Sequence, residues 1–444
     1  MEKHINKTNI LKYVFLLICL INLNRIVIGF QLSRVDAIYD PDLMSYYEPA
    51  SKNFLATYFE GKPQFADLSA QVTPLFPIFL KITGNRSVGL IVYSVLSILI
   101  LVLTYKICLK LLTKKIAMVT ILIFTIEPSF YASSLNLAPE LLFTLTIITA
   151  VYFIICQPLR QIHLNYMICC FLIGISVLIR PIVLLFLIMF FLFWTAIYIR
   201  SRDHLKILYA LITIIPSLFW SFRNYTVHGF FNVSSISAHN LLWYEGVPAL
   251  AESTRITFEE AGVIESNLRD QYIGQNAGVL ERYNYNNTRG IELVLDHPVG
   301  MLIAHLKGAA KLVFGVYKSK YEIIINNVYN VENQIYFKIV YACLGIVILS
   351  IWLLFLYGLK PAFQSNFVSS SLILFMIILI LIPASGQVAY ARFRAPISPL
   401  LLIFVGYGIR EIIKNSVLSL ETLKFKKFCK RLQDKKSRNK ISSK

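Results

Sequence analysis

Ten polar or charged residues stand out because they interrupt long apolar runs, where an ionisable group is costly to keep. They are Asp36, Asp40, Asp42, Glu140, Arg180, Arg223, Asn224, Tyr390, Arg392 and Arg394. A carboxylate at a membrane boundary can accept a proton from a hydroxyl, and a guanidinium group can pair with a phosphate. When the apolar runs are drawn as membrane spans, all ten residues fall on one side of the bilayer. This shared side predicts an integral-membrane enzyme that works at a single water-facing surface.

The acidic residues of the first polar segment follow a typical helix start. Asp40 supplies a capping carboxylate, and Pro41 stands at the first helical position. In a helix that begins there, Asp42, Tyr46 and Ala50 share one face because they lie four residues apart. Asp42 is thereby a candidate general base toward a hydroxyl, or a ligand of a divalent metal ion. The alternative is that Asp40 and Asp42 only cap a surface helix.

Glu140 and the external arginines have both a chemical and a structural interpretation. Glu140 stands at the start of an apolar helix, where the helix dipole favours an acid in any case. Arg180 lies in a very short connection, from which it can extend to membrane headgroups or bind the phosphate of a lipid ligand. The other members of this set are Arg223, Asn224, Tyr390, Arg392 and Arg394. Membrane proteins usually concentrate lysine and arginine on the cytoplasmic side. Several arginines on the external side therefore favour recognition of an anion.

Composition fixes the fold class as an all-α polytopic membrane protein. Of 444 residues, 57% are hydrophobic and only 15% are charged, a load that a soluble domain cannot bury. About ten spans are predicted, at roughly 10–29, 87–105, 116–134, 138–156, 164–179, 181–199, 205–222, 336–358, 367–385 and 395–412. Lysines and arginines in the short connections place both termini in the cytoplasm. Residues 1–412 then form one membrane-embedded domain with two long extracytoplasmic loops, 30–86 and 223–334.

Two further segments complete this topology. Residues 297–317 are apolar with interspersed basic groups, which predicts an amphipathic helix lying on the membrane surface rather than a further span. The net charge of +19 is concentrated in the tail, 413–444. A basic run directly after the last span is typical of a cytoplasmic anchor on anionic membrane lipids, and we expect no nucleic-acid partner.

The sequence does not favour a nucleotide or redox cofactor. It has no glycine-rich phosphate-binding loop and no zinc-type ligand spacing. The seven cysteines all lie outside the two long loops, so no disulfide is expected there. No cofactor is therefore certain, and a divalent metal ion near Asp42 stays an open alternative whose ligands the sequence does not name.

Six short blocks, taken in order, resemble the GT-C membrane glycosyltransferases. This class uses polyprenyl-phosphate sugars and includes the protein O-mannosyltransferases and the lipid A aminoarabinose transferase. The blocks are Pro41-Asp42-x3-Tyr46, Thr73–Pro77, Pro139–Phe143, Gly174 to Pro181, Phe222–Tyr225 and Arg392–Pro396. One departure is Val72-Thr73-Pro74, which stands where the aminoarabinose transferases have Lys-Pro-Pro, so a lysine that binds the donor phosphate is missing.

The resemblance implies a glycosyltransferase of the cell envelope. It predicts transfer of a sugar from a polyprenyl-phosphate donor to a lipid, glycan or protein acceptor, on the outer face of a bacterial inner membrane. It implies that Asp42 and Glu140 are catalytic, with Asp42 as the base. The substrate-binding residues would be Tyr46, Arg180, Arg223, Asn224, Tyr390, Arg392 and Arg394. The alternatives are a polytopic lipid or glycan transporter (a flippase), which would carry its charges near mid-membrane, and an O-antigen-type polymerase or ligase.

Overall fold

The computed structural model describes residues 7–34, 42–60, 62–157, 161–330, 333–387 and 389–416. Within these ranges the chain is built from helices and contains no strand, which confirms the all-α prediction. Asp36, Asp40, Cys429 and nearly all of the basic tail lie outside the described residues. The helix start predicted at Asp40-Pro41 therefore stays a prediction.

The N-terminal part consists of one long helix and a folded first loop. The helix α1 spans Lys7–Leu32, and the loop contains the short helices α2 (Glu48–Lys52), α3 (Phe54–Tyr58), α4 (Ala66–Gln71) and α5 (Leu75–Thr83). A π-helical turn, Leu43–Tyr47, leads into α2. Because a π-turn bonds residue i to residue i+5, it breaks the four-residue spacing that the sequence suggests. Ala50 is buried while Tyr46 is exposed, so the prediction that they share one face was wrong.

Seven helices follow between the two loops. They are α6 (Arg86–Leu111), α7 (Lys114–Thr125), α8 (Pro128–Ser134), α9 (Pro139–Cys156), α10 (Ile162–Ser176), α11 (Leu184–Ser201) and α12 (His204–His228). The predicted span 116–134 is divided between α7 and α8, which meet at an angle of 62°. Pro128 stands at the first position of α8, where proline is well tolerated because its missing N–H needs no partner there. Buried apolar side chains of these helices form most of the main core.

The second loop is a small helical layer with a core of its own. It contains α13 (Ile236–Asn240), α14 (Val247–Thr254), α15 (Phe258–Ile273), α16 (Val279–Asp296), α17 (Pro298–Phe314) and α18 (Lys318–Tyr329). Its core is formed by Leu242, Val247, Ala251, Ala261 and Leu293. The predicted helix 297–317 corresponds to α17. This helix buries Gly300, Ala304, Gly308 and Leu312 and exposes Val299, Leu302 and Leu306 on the other side.

Three further helices follow the second loop in the described residues: α19 (Gln334–Ser365), α20 (Phe367–Ala384) and α21, which is described over 398–416. Among the described residues, eight helices are long and apolar enough to cross a membrane, or nine if the bent pair forms one span. One of the eight is 298–329, taken as a unit, which the sequence predicts as a surface segment. The chain is an integral, multi-pass membrane protein. The count of about ten spans, the domain limits and the outward position of both loops stay predictions.

Candidate functional site

Four of the predicted site residues form one ion-paired cluster. The Nη1 atom of Arg180 lies 2.8 Å from Oε1 of Glu140, and the Nε atom of Arg392 lies 3.6 Å from the same oxygen. The Nη2 atom of Arg392 donates a hydrogen bond of 2.9 Å to Oδ2 of Asp42. These residues come from the first loop, the start of α9, the connection after α10 and the segment before α21. The cluster therefore joins residues that are up to 350 positions apart.

Glu140 is the buried centre of this cluster. It stands in the first turn of α9, directly after Pro139, and is 3% exposed. A carboxylate is stable at such a depth only when it is paired, and the two guanidinium groups meet this need. Its second oxygen, Oε2, has no hydrogen-bond partner among the described residues. Glu140 can thus hold both arginines and still accept one further hydrogen bond.

Phe393 lies beside both guanidinium groups of the cluster. The guanidinium carbon of Arg180 lies 4.8 Å from the centre of the Phe393 ring, and that of Arg392 lies 5.1 Å from it. A cation over an aromatic face is attracted by the electron density of the ring. The ring thereby stabilises two like charges that Glu140 draws together. The sequence analysis missed Phe393, although its place between Arg392 and Arg394 could have indicated it.

Two tyrosines that the sequence analysis missed also border the cluster. Burial raises the pKa of the Tyr47 hydroxyl well above its ordinary value, and the neighbouring carboxylates of Glu140 and Asp42 act in the same direction. The Tyr47 ring packs edge-on against Phe76, with 4.9 Å between ring centroids. Burial likewise raises the pKa of Tyr244, which the second loop contributes near Asp42. Both hydroxyls stay neutral at physiological pH and can donate hydrogen bonds.

The open side of the cluster faces away from Glu140. The side chain of Asp42 is 47% exposed, and Tyr46 and Tyr390 are 42% and 53% exposed. Tyr390 lies beside Arg392, whose guanidinium carbon is 5.7 Å from the centre of the tyrosine ring. The arrangement therefore has a buried anchor at Glu140 and an accessible carboxylate at Asp42, bordered by aromatic side chains.

Arg394 lies outside this cluster. It is 2% exposed, and its Nε atom lies 3.3 Å from Oε1 of Glu127. Its Nη1 atom donates to the carbonyl oxygens of Leu312 and Val313 at 2.8 and 2.9 Å, near the end of α17. Glu127 in turn caps α8. These contacts occupy the Arg394 side chain in joining α17 to the α7–α8 bend.

Arg223 and Asn224 also lie outside the cluster and join the two loops. The Nη2 atom of Arg223 donates to the carbonyl oxygen of Tyr58 at 2.8 Å, and its Nη1 atom donates to Oδ1 of Asn224 at 2.9 Å. The Asn224 amide donates to the carbonyl oxygens of Asn232 and Val233. The structure thus brings Asp42, Glu140, Arg180 and Arg392 together. It separates Arg223, Asn224 and Arg394 from them.

The predicted metal ion has no cluster of ligands in the described part of the chain. No group of three histidine, cysteine, aspartate or glutamate side chains is placed there to bind one. Asp42 and Glu140 both pair with arginine. Asp36 and Asp40 lie outside the described residues, so a divalent ion near Asp42 stays a prediction.

Residues 73–220 match the model of a family described as dolichyl-phosphate-mannose-protein mannosyltransferase. This segment includes Glu140 and Arg180, two members of the cluster. The resemblance to the GT-C superfamily is confirmed. No curated protein matches the chain.

Two solved structures are similar to the chain at low identity. One is the oligosaccharyltransferase AglB from Archaeoglobus fulgidus, in complex with an inhibitory peptide and a dolichol-phosphate. It is 14% identical with a TM-score of 0.43, and the match covers 91% of this chain and 52% of that one. The other is ArnT from Cupriavidus metallidurans bound to undecaprenyl phosphate, 12% identical with a TM-score of 0.36, covering 88% and 77%. The chain thus spans about half the length of AglB, and neither likeness determines a substrate for it.

Proposed function

We propose that the chain is an integral-membrane glycosyltransferase that transfers a sugar from a polyprenyl-phosphate donor to an acceptor hydroxyl. The observation that carries this proposal is the cluster of Arg180 and Arg392 around Glu140, with Asp42 at its open edge. The family match over residues 73–220 supports the same class of donor. The experiment below would identify the sugar and whether the acceptor is a lipid, a glycan or a protein.

The two arginines would bind the donor phosphate. A guanidinium group presents paired N–H donors that match two phosphate oxygens, and it keeps its charge when buried. The phosphate gains negative charge as its bond to the sugar breaks. Donors that are already fixed by Glu140 and Phe393 would stabilise that charge without first reorganising.

Asp42 would act as the base. The acceptor oxygen forms a bond to the anomeric carbon while the bond from that carbon to the phosphate oxygen breaks, and the acceptor proton passes to Asp42. Direct displacement of this kind inverts the configuration at the anomeric carbon. Asp42 suits the role because its side chain is half exposed, so an acceptor can reach it. Its hydrogen bond to Arg392 also fixes its orientation.

Glu140 suits a different role from the one that the sequence predicts for it. Its burial and its pairing with two arginines support a function in positioning those arginines rather than in proton transfer. The oxygen Oε2 is available to accept a hydrogen bond from a hydroxyl group of the polyprenyl-phosphate sugar.

The cell envelope itself provides the test of the proposed function. Glycans and polyprenyl-phosphate sugars would be compared by mass spectrometry in cells without the protein and in cells that express the parent chain or Asp42→Asn. The parent should restore a glycosylated product. The Asp42→Asn variant should reduce its rate of formation by at least about 100-fold, the usual scale for a general base.

A matched control keeps this test specific. Glu60, an exposed acid of the same loop, pairs with Lys62 on the surface, and Glu60→Gln should behave as the parent does. Unchanged envelope glycans in cells lacking the protein would argue against a transferase. A product still formed at parental rate by Asp42→Asn would leave Asp42 only as an ion-pair partner of Arg392.

A further inference from the structure

A second hydrogen-bonded chain of polar side chains lies outside the cluster and joins the second loop to the segment before α21. The Nδ1 atom of His305 lies 3.0 Å from Oγ of Ser385, and its Nε2 atom is hydrogen-bonded to a carboxylate oxygen of Glu245. Oγ of Ser385 lies 2.7 Å from the carbonyl oxygen of Ile382 and donates its hydrogen to it. A glutamate, a histidine and a serine are thus connected in series.

The direction of these hydrogen bonds indicates the charge state of the ring. In the arrangement where Ser385 donates its proton to the carbonyl oxygen of Ile382, its Oγ accepts a hydrogen bond from Nδ1 of His305. The Glu245 carboxylate can only accept, so Nε2 must donate as well. In that arrangement the imidazole donates from both nitrogens and carries a positive charge.

The helix α17 that carries His305 holds the segment 385–394 at two points. Near its middle, Gly308 packs so closely that a Cβ there would collide with the carbonyl oxygens of Ser385 and Gly386. Near its end, the carbonyl oxygen of Leu312 accepts from Arg394. Arg392 lies between these two points of attachment, and its side chain reaches Asp42.

The partner of His305 also borders the proposed active site. Glu245 directly follows Tyr244, which lies near Asp42. A Cβ on Gly386 would lie only 2.9 Å from Oε1 of Glu245, so the two segments are in close contact. The chain of hydrogen bonds therefore fixes the second loop against the segment that carries Arg392.

We propose that His305 is a positioning residue, whose protonated imidazole clamps Glu245 to Ser385 and thereby holds Arg392 in reach of the donor phosphate. This inference rests on the proposed function for its effect on transfer, but the clamp itself is a property of the fold. The clamp makes donor binding depend on pH, and the donor binds more tightly at low pH, where His305 is protonated. As pH rises and the ring loses its proton, the charge-assisted hydrogen bond between Nε2 and Glu245 becomes a weaker one, and the segment loosens.

The other charged groups around α17 are already engaged. Glu252 on α14 pairs with Lys307, and Arg394 is bonded to Glu127 and to the α17 carbonyl oxygens. Tyr244 is uncharged, since burial raises its pKa. Among the described residues, Glu245 is thus the acid that contacts the His305 ring.

The test compares the full-length parent chain with His305→Gln and Glu245→Gln in detergent or lipid nanodiscs. Hydrogen–deuterium exchange of residues 385–394 reports the clamp without any need for activity. In the parent, the exchange of this segment should rise relative to other external segments as pH increases. In His305→Gln it should be raised at every pH. In Glu245→Gln the rise should begin at lower pH, because the ring has lost the carboxylate that favours its protonated form.

Binding of polyprenyl phosphate by the same variants connects the clamp to the site. We expect His305→Gln to weaken binding by about 10-fold, the scale of losing one hydrogen bond to a charged group, and to remove the weakening that the parent shows at high pH. Ser385→Ala, which changes little volume, should weaken binding in the same direction. His297→Gln, at the start of α17, is the control and should match the parent in both measurements.

Two results would overturn the proposal. One is parental exchange of residues 385–394 in His305→Gln at every pH. The other is parental binding and pH dependence in both His305→Gln and Ser385→Ala. A parent chain that transfers no sugar would instead contradict the proposed function, and the exchange data would still decide whether the clamp exists.

Discussion

Arg392 and Arg394 stand two residues apart, and the structure predicts different consequences when each is changed to lysine. Arg392 pairs with Asp42 and Glu140 at the open cluster, so a ligand phosphate can reach it. Arg394 is buried between Glu127 and the carbonyl oxygens of α17. The first change should therefore alter donor binding, and the second should alter the stability of the fold.

The contacts set the size of each effect. Lysine keeps the positive charge but cannot reproduce the forked geometry of a guanidinium group. At Arg394 at least two of the charged hydrogen bonds would be lost, at about 1.5–3 kcal/mol each. The resulting 3–6 kcal/mol is a large part of the 5–15 kcal/mol that stabilises a typical protein. At Arg392 a bidentate phosphate contact would become a single one, which weakens donor binding by about 1–3 kcal/mol, or roughly 5–150-fold.

Two measurements on each purified variant separate these effects. Thermal unfolding in detergent should show a clear loss of stability for Arg394→Lys and little change for Arg392→Lys. Binding of polyprenyl phosphate should be weakened in Arg392→Lys at a temperature where the protein stays folded. The reasoning fails if Arg394→Lys is as stable as the parent, or if Arg392→Lys binds and transfers as the parent does. In the latter case, Arg392 has a structural role in its ion pairs and does not bind the donor phosphate.

Three further changes test the rest of the structure. A reporter that is active only outside the cytoplasm should work when fused at Gln275 and stay silent after Lys444; the reverse pattern would refute the shared outer face. Arg223→Lys should lower the free energy of unfolding by about 3 kcal/mol, because it removes hydrogen bonds to the first-loop carbonyl oxygens of Tyr58 and Ser69, and unchanged thermal unfolding would contradict this role. Gly308→Ala should destabilise the protein by about 1–3 kcal/mol, whereas Gly345→Ala, which has no neighbour within 4 Å, should not; equal melting temperatures for the two variants would refute the close packing of α17 against 385–386.

The membrane class and most helices could be predicted from the sequence because they depend on local properties. A run of about twenty apolar residues forms a helix in lipid wherever it occurs, since its backbone groups must bond internally. The helices α6, α9, α12 and α19 follow their predicted spans for this reason. The amphipathic pattern of 297–317 likewise predicts α17.

Local patterns were less informative where the chain departs from regular geometry. The π-turn Leu43–Tyr47 changes which side chains share a face, so the partly buried neighbour of the cluster is Tyr47, whereas Tyr46 is exposed. The bend before Pro128 divides a predicted span into α7 and α8. A four-residue period cannot show either feature, because both depend on hydrogen bonds that deviate from the α-helical pattern.

The sequence by itself predicted that several acids and arginines lie on one face of the membrane. Its candidates include Asp42, Glu140, Arg180 and Arg392, but also Arg223, Asn224 and Arg394, which the structure places elsewhere. Only the tertiary structure decided that these four contact one another and that Arg394 pairs with Glu127. The physical reason is that a charge pair is strong only within a few ångströms. Residues that share a membrane face can still be far apart in its plane, and only the packing of α9, α17 and the segment before α21 sets that distance.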